Sequence, residues 1–193
     1  MLNRFKRLIF MDPVCSLVES STSDRAPISM HDERIPVTTA VRFLREKKIA
    51  FEPFFYDYVE HGGTRVAAES LSVSEHAVVK TLVMETELRE PLIVLMHGDC
   101  EVSTKQLART IGANRVAPCD EQRAHKHTGY VVGGISPFGT RGVFPVYAEE
   151  TIFDLPIIYV NGGKRGFLVG VNPSDIERVL GVTRVHVALP ASG

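Results

Sequence analysis

Apolar runs and helix-like patterns alternate along most of this 193-residue chain. Two of the apolar runs, residues 77–84 and Pro91–His97, contain almost no polar alternation, which predicts strands buried on both faces. Residues 103–112 carry apolar side chains at helical spacing and end at a glycine, which predicts an amphipathic helix. The same patterns predict further helices at 39–48, 65–71, 120–127 and 172–181, and further strands at 49–58, 115–117, 147–148, 157–160, 167–171 and 183–188.

These elements alternate irregularly and without a repeat, so the pattern predicts a single α/β domain around a mixed β-sheet, with strand 77–84 near its centre. Residues 12–36 are rich in Ser, Thr, Asp and Pro and have no periodicity. We therefore expect a flexible N-terminal extension over residues 1–34 and a folded domain over 35–188. Met30 offers an alternative start of translation.

Composition sets limits on the function. The formal net charge is −1, so no overall basic field attracts nucleic acid, and any RNA contact must be local. The three cysteines are widely spaced and form no Cys-x-x-Cys pair, which argues against a disulfide framework or a structural zinc site and favours the cytoplasm. No apolar run is long enough to span a membrane. The first ten residues are basic and then apolar, but Asp12 and Pro13 interrupt them, so we do not expect a signal peptide.

Two glycine-rich segments stand out. In residues 128–139, a short apolar run predicted to be a strand leads into Gly133 and Gly134, which can turn backbone amides toward an oxyanion or a phosphate. Pro137 then stiffens the turn. A second segment, residues 161–166, follows the apolar run 155–160. Two glycine segments at strand ends predict one shared pocket.

Lys80 is a charged residue inside the predicted central strand, on the same face as Val78 and Leu82. A desolvated ammonium needs an anion or a carbonyl dipole, so a lysine at such a position commonly faces a pocket for a phosphate, a carboxylate or an oxyanion. The alternative is that Lys80 extends to water from a strand end. Thr81 is expected on the opposite face.

Several common kinds of catalytic site are disfavoured. His125 and His127 lack a third metal ligand, and a Cys100 nucleophile paired with His97 has no supporting motif. Ser136 precedes a proline and is not in a Gly-x-Ser-x-Gly turn, which argues against a serine hydrolase. We therefore predict neither a metal nor a cofactor.

Residues 162–166 lack the spacing of a phosphate-binding loop, which argues against a nucleoside triphosphatase. Tyr56 and Tyr130 are the tyrosines that could position a ligand by hydroxyl or by stacking, although buried tyrosines of core strands are equally common.

Three motifs occur in order: Val-Val-Lys-Thr-Leu at 78–82, Thr-Gly-Tyr-Val-Val-Gly-Gly-Ile-Ser-Pro-Phe-Gly at 128–139, and Tyr-Val-Asn-Gly-Gly-Lys-Arg-Gly at 159–166. With them the chain resembles the YbaK family of aminoacyl-tRNA deacylases over about residues 36–180. These enzymes are related to the editing domain inserted in bacterial prolyl-tRNA synthetase. The resemblance implies a strongly curved mixed sheet flanked by helices. It also implies hydrolysis, in trans, of the ester that joins a wrong amino acid to tRNA.

The resemblance also implies roles for particular residues. Lys80 matches the family's essential lysine, expected to hold the phosphate or ester end of the substrate. The Gly-x-x-x-Pro loop of the family would polarise the ester carbonyl through its amides, and Tyr56 matches a pocket tyrosine. The loop residues are Gly133, Gly134, Ile135, Ser136 and Pro137, and the substrate-binding candidates besides Tyr56 are Thr81, Tyr130, Asn161, Gly162 and Gly163.

One departure concerns the substrate, because some members that act on cysteinyl-tRNA have Ser in place of Asn161 and Asp in place of Leu168. The expected substrate is cysteine or another small amino acid on tRNA(Pro), and prolyl-tRNA synthetase is a possible partner. The reaction needs no protein nucleophile, since water, the terminal ribose hydroxyl or the substrate's own side chain can attack the ester. The alternative function is a non-catalytic module that binds a nucleotide or the tRNA acceptor end. If the glycines only form turns, neither function holds.

Overall fold

The computed structural model describes residues 35–191, so the predicted extension over residues 1–34 lies outside the described residues. The helices are α1 (Thr39–Glu46), α2 (Gly63–Leu71), α3 (Thr104–Ile111), α4 (Glu121–Thr128) and α5 (Pro173–Leu180). The strands are β1 (Glu52–Phe55), β2 (Val78–Thr86), β3 (Pro91–His97), β4 (Cys100–Val102), β5 (Val116–Pro118), β6 (Val146–Glu149), β7 (Ile158–Lys164), β8 (Phe167–Val171), β9 (Thr183–Val185) and β10 (Ala188–Pro190). None of these helices is long and apolar enough to cross a membrane.

The helix ends follow local sequence signals. A side-chain oxygen accepts a backbone N–H at the start of four helices, which satisfies one of the amides left without a helical partner there. A glycine in the left-handed conformation ends three of them. The N-caps are Thr38, Ser103, Asp120 and Asn172, and the glycines are Gly112, Gly129 and Gly181.

The main sheet has the strand order β1-β8-β7-β2-β3-β6-β9, and β5 also pairs with β2. β2 runs antiparallel to β3 and parallel to β7, while β3 and β6 are parallel. Mixed pairing with helices packed on the strands confirms the predicted α/β domain.

Along one edge, β2 pairs first with β7 and then with β5, and the gap between these two partners is an opening in the sheet. β3 covers the other edge from Val79 to Glu85. On the open edge, β7 pairs only with Val78 and Val79, and β5 pairs only from Met84 onward. The residues between, beginning with Lys80, have no strand partner on that side among the described residues. Ligands of α/β proteins commonly bind where neighbouring strands diverge in this way.

Alternating side chains divide the core between the two faces of the sheet. On one face, α1 and α5 pack with Leu95, Val160 and Phe138. On the other face, α3 covers a cluster that includes Met96, and α2 covers a cluster that includes Leu168. Lys80 lies on this second face, as predicted, because its neighbours two residues away on β2 belong to these clusters.

The predicted apolar strand at the start of the first glycine segment is wrong. Residues 130–132 form a loop because their hydrogen-bonding groups have other partners. The Tyr130 amide donates to Thr128 Oγ1 (3.1 Å), and the carbonyl of Val131 accepts from Gly134 in a tight turn (2.9 Å). The Val132 carbonyl accepts from Arg165 Nε (2.9 Å).

Two other predicted boundaries change. The second glycine segment is not purely a loop, since β7 continues through Gly162 and Gly163 to Lys164 with a bulge against β8. The last predicted strand divides into β9 and β10, because the buried Glu149 carboxylate accepts the amides of Val187 (2.7 Å) and Ala188 (2.8 Å). That contact directs the chain to pair with β4.

Burial predicts where the fold is sensitive to truncation. Leu95 is fully buried, whereas Leu88 is 71% exposed. We expect Leu95→Ala to lower the free energy of unfolding by about 2–5 kcal/mol, because the removed methyl groups leave a cavity. Leu88→Ala should change it by less than about 0.5 kcal/mol. Urea denaturation of both variants measures this, and equal effects would contradict the described core.

Candidate active site

Four side chains form a row across neighbouring strands on one face of the sheet. Leu168 of β8 pairs with Asn161 of β7 and with Phe54 of β1. Tyr56 follows two residues after Phe54, and both pack into the cluster under α2. Val79 pairs with Val160, so Lys80 and Asn161 occupy the next position of their strands. The row is therefore Phe54, Leu168, Asn161 and Lys80, at the opening beside β2, and Tyr56 lies next to its Phe54 end.

Backbone carbonyls compensate the charge of Lys80. Its half-buried ammonium donates to the carbonyl of Gly98 (3.0 Å) and to that of Cys100 (2.5 Å). Among residues 35–191 it pairs with no carboxylate. A lysine ammonium has three N–H donors, so one of them is available to an anion or an ester oxygen.

The turn that holds Lys80 is itself fixed by α2. The Gly98 carbonyl also accepts from Thr64 Oγ1 (3.2 Å), and the same hydroxyl lies 2.8 Å from a Glu75 carboxylate oxygen. A Cβ added at Gly98 would lie 2.6 Å from the Glu75 carbonyl, so only glycine fits this close approach. The ammonium of Lys80 is thus held by a packed backbone rather than by a free loop.

The first glycine loop has a left-handed turn at its start. Gly133 has φ +83°, and a Cβ there would lie 2.8 Å from the Tyr58 hydroxyl. The Gly134 amide already donates to Val131, and Ser136 is fully buried, with its hydroxyl accepting from the Phe138 amide (3.3 Å). Within residues 133–137, the amides without a hydrogen-bond partner among the described residues are those of exposed Gly133, half-buried Ile135 and buried Ser136, and the first two are accessible to a ligand.

Tyr130 supports this loop from inside the protein. Its hydroxyl donates to the Phe138 carbonyl (2.6 Å) and accepts from Thr39 Oγ1 (2.7 Å). Burial raises the pKa of this phenol above its usual range, an effect that the bond from Thr39 partly offsets. With 6% of its surface exposed, Tyr130 sets the shape of the loop, and its direct contact with substrate stays a prediction.

Asn161 joins the two glycine segments. Its Nδ2 donates to the Gly133 carbonyl (3.0 Å), while its Oδ1 accepts from the amides of Gly163 (2.8 Å) and Lys164 (3.1 Å). Both lone pairs of the amide oxygen are thus engaged, and one N–H remains for a substrate.

Helix α1 ties down the second segment. Thr38 Oγ1 donates to the Gly162 carbonyl (2.5 Å) and accepts from the Val41 amide (3.1 Å). Gly163 has φ +91°, and a Cβ there would lie 2.9 Å from the Tyr130 ring. The second segment therefore packs against the residue that supports the first.

The remaining predicted residues differ in exposure. Burial raises the pKa of the half-buried Tyr56 phenol, so its hydroxyl is protonated at neutral pH and can donate a hydrogen bond. Thr81 lies on the opposite face from Lys80, and its buried Oγ1 has no hydrogen-bond partner within residues 35–191. Thr81 therefore lies on the face of the sheet opposite Lys80 and Tyr56, and its role in substrate binding stays a prediction.

The rim of the opening combines apolar and basic surface. Val131 and Val132 are exposed, and the Arg165 guanidinium lies 5.0 Å from the centre of the Tyr58 ring. Lys164 is exposed beside it. Cations beside an aromatic ring such as Tyr58 are the combination with which proteins contact the phosphates and bases of single-stranded nucleic acid.

Neither Ser136 nor Cys100 is suited to act as a nucleophile in this site. Ser136 is buried and accepts a backbone amide. Burial and the neighbouring Asp99 carboxylate raise the pKa of the Cys100 thiol, so it is protonated at neutral pH. The site can position and polarise an ester, but the described residues around it do not form a catalytic triad.

Residues 62–179 match the family model of the aminoacyl-tRNA editing domain. The chain belongs to this family. The predicted family is therefore confirmed, and the opening beside β2 is the candidate active site of an editing domain.

Similar proteins include free-standing chains and synthetase segments. The chain is 30% identical over 152 residues to the Enterococcus faecalis protein named "Putative Cys-tRNA(Pro)/Cys-tRNA(Cys) deacylase EbsC", covering 78% of this chain and 91% of that protein. It is 31% identical over 108 residues to the proline–tRNA ligase of Streptococcus equi subsp. zooepidemicus, covering 55% of this chain and 17% of the ligase.

Solved structures share the fold. One described as a "putative trans-editing enzyme for prolyl tRNA synthetase" superposes with a TM-score of 0.68 at 18% identity, over 78% of this chain and 97% of the other. The "hypothetical protein APE2540" gives 0.72 at 19% identity, over 78% and 99%. At these identities the likeness shows the fold alone.

The geometry brings Lys80, Tyr56, Asn161 and the two glycine segments to one end of the sheet, and it turns Ser136 and Thr81 inward. Sequence patterns did not indicate the roles of Thr38 and Thr39. The Thr38 hydroxyl bonds the second glycine segment, and the Thr39 hydroxyl bonds Tyr130, which supports the first. Their only sequence signal was their position at the start of α1, where a threonine is expected to cap the helix.

The role of Asn161 can be tested by hydrogen exchange. We expect Asn161→Ala to speed exchange of the Gly163 and Lys164 amides by up to about tenfold, because a hydrogen bond contributes about 1 kcal/mol. Asn172→Ala is the matched control, because it removes an asparagine that accepts the Ser174 amide at the start of α5. It should leave exchange at Gly163 and Lys164 unchanged. Unchanged exchange at Gly163 in Asn161→Ala would contradict the proposed link.

Proposed function

We propose that this protein is a trans-acting aminoacyl-tRNA deacylase, which hydrolyses the ester between a small amino acid and the 3′ end of tRNA. The observation that carries the proposal is the arrangement of Lys80, which is held on two backbone carbonyls and keeps one free N–H donor. The neighbouring position on β7 is Asn161, which bonds the glycine loop with unpaired amides. Membership of the editing family supports the same reaction.

In the proposed mechanism the ester carbonyl accepts hydrogen bonds from the amides of Gly133 and Ile135. These donors stabilise the negative charge that develops on the carbonyl oxygen as the ester is attacked. Lys80 holds a phosphate or ribose oxygen of the terminal nucleotide, and Tyr56 donates to the substrate from the other end of the row. Water attacks the carbonyl carbon. The ester C–O bond then breaks, the amino acid leaves with the oxygen of the water as its new carboxyl oxygen, and a proton of that water passes to the ribose oxygen, which is released as a free hydroxyl.

The lining of the row favours a small, uncharged amino acid. Leu168 is 4% exposed and packs with Phe54 and Tyr159, so the floor beside Asn161 is apolar. One methylene more or less in the amino acid changes the binding free energy by only about 1–3 kcal/mol. Size alone therefore discriminates weakly, and the site must exclude proline by the shape of its ring. Cysteine or alanine on tRNA(Pro) are the proposed substrates, and the name of the Enterococcus relative supports cysteine.

The matched segments of proline–tRNA ligases support prolyl-tRNA synthetase as a partner. With a formal net charge of −1, a synthetase that already holds the tRNA would supply affinity that this chain lacks. The free cysteines Cys100 and Cys119 and the proposed tRNA substrate support the cytoplasm as the location of this activity.

Hydrolysis of charged tRNA tests the proposal directly. We expect purified protein to deacylate Cys-tRNA(Pro) or Ala-tRNA(Pro) and to spare Pro-tRNA(Pro). Lys80→Ala should lower that rate at least about 100-fold, in line with the loss of a charged or oxyanion contact. Lys105→Ala, an exposed lysine of α3, is the control and should act like wild type. If every ester survives while tRNA still binds, the chain is a binding module instead.

The conformation of the loop gives a second test. Gly133→Ala and Gly181→Ala both place a Cβ at positive φ, +83° and +61° respectively, and each should lower the free energy of unfolding by about 1–2 kcal/mol. Only Gly133→Ala should also slow deacylation, by about 10–100-fold. Its new Cβ would clash with the Tyr58 hydroxyl and displace the loop, whereas a Cβ at Gly181 meets no atom within 4 Å. Equal rates in the two variants would show that the loop does not contact the ester.

A further inference from the structure

Three metal-ligating side chains meet behind the turn that holds Lys80. The Nδ1 atom of His76, a carboxylate oxygen of Asp99 and the Sγ atom of Cys100 all lie within 4.8 Å of one another. His76 Nδ1 is 2.9 Å from Asp99 Oδ1 and 3.1 Å from Oδ2, and Cys100 Sγ is 3.5 Å from Oδ1. Asp99 follows His76 by 23 residues, so no local spacing in the sequence indicated this cluster.

The side chains are held on a rigid frame. The His76 ring stacks on the fully buried His97 ring, with centroids 3.6 Å apart and planes 11° from parallel. His97 Nδ1 donates to the His76 carbonyl (2.6 Å), and His97 Nε2 bonds Thr151 Oγ1 (2.8 Å). On the other side, the bonds from Lys80 to the carbonyls of Gly98 and Cys100 fix the turn that carries Asp99.

We propose that His76, Asp99 and Cys100 bind a zinc ion with three protein ligands and an open fourth position. Zinc takes imidazole, carboxylate and thiolate ligands at about 2.0–2.3 Å in tetrahedral geometry. Neighbouring donors then lie about 3.3–3.8 Å apart. The observed separations are all within 4.8 Å, so side-chain movements of about 1 Å bring the three donors to these distances. A sulfur and a nitrogen donor disfavour magnesium and calcium, which prefer oxygen.

The site is open to solvent and electrically balanced. Asp99 is exposed, and the other two residues are half-buried, so an ion can enter directly. The thiol proton leaves to solvent as the Zn–S bond forms, and nothing is oxidised or reduced. One carboxylate and one thiolate neutralise the two charges of zinc, so the loaded site carries no net charge beside the Lys80 ammonium, whereas the empty site carries the single negative charge of Asp99.

Cobalt is the probe of choice because its thiolate complexes absorb in the near ultraviolet, whereas zinc is colourless. We expect metal-free, full-length protein to bind one equivalent of Co²⁺ with a thiolate absorption band that added Zn²⁺ removes by displacement. Cys100→Ser should abolish the band. His76→Ala should weaken binding by more than the roughly tenfold that loss of an outer-shell contact causes.

Matched cysteine variants serve as controls. Cys119 lies outside the cluster, with its thiol bonded to Glu85 (3.5 Å), and Cys15 lies outside the described residues. Cys119→Ser and Cys15→Ser should both keep the band. Thermal unfolding monitored by circular dichroism confirms that each variant is folded, and Cys100→Ser changes a single atom. The proposal is overturned if wild type shows no thiolate band, or if the band persists in Cys100→Ser. In that event His76 and Asp99 form only a surface hydrogen bond.

Discussion

The hydrogen bonds that join the two glycine segments are the constraint on which the site depends. Asn161 bonds the carbonyl of Gly133 on one side and the amides of Gly163 and Lys164 on the other. Thr38 and Thr39, at the start of α1, hold the second segment and the tyrosine beneath the first. Glycine-rich backbone has high conformational entropy when free, so these bonds determine whether the loop amides face a common point. One helix start and one amide side chain therefore organise a site whose parts are far apart in the sequence.

The sheet supplies the space and the charge. Because β7 and β5 pair with different ends of β2, the middle of that strand can present Lys80 at an opening instead of burying it under a neighbour. Two carbonyl dipoles hold the ammonium, which reduces the cost of desolvation without neutralising the charge. A carboxylate partner would have screened the charge from an anionic substrate. Holding the lysine with backbone alone keeps its attraction for phosphate intact.

Local signals in the sequence correctly predicted much of the fold. Strand β3 is an uninterrupted apolar run and helix α3 has regular helical spacing, and both have clear ends. The alternation along β2 correctly placed Lys80 on the face opposite Thr81. Residues 130–132 look like a strand because they are apolar, yet their hydrogen bonds go to a threonine side chain, a tight turn and Arg165. The separation of β9 from β10 depends on the buried carboxylate of Glu149, which lies 38 residues before the amide it binds.

The contacts of the site were less predictable for the same reason. That Asn161 reaches the Gly133 carbonyl, and that His76 meets Asp99, follows from tertiary packing that no local spacing reveals. The most direct measurement is a crystal structure with a CCA trinucleotide that carries alanine through a stable amide in place of the ester. The account predicts the amide carbonyl oxygen within hydrogen-bond distance of the Gly133 or Ile135 amide, and Lys80 against a ribose or phosphate oxygen. A trinucleotide bound with its alanyl group away from this loop would contradict it.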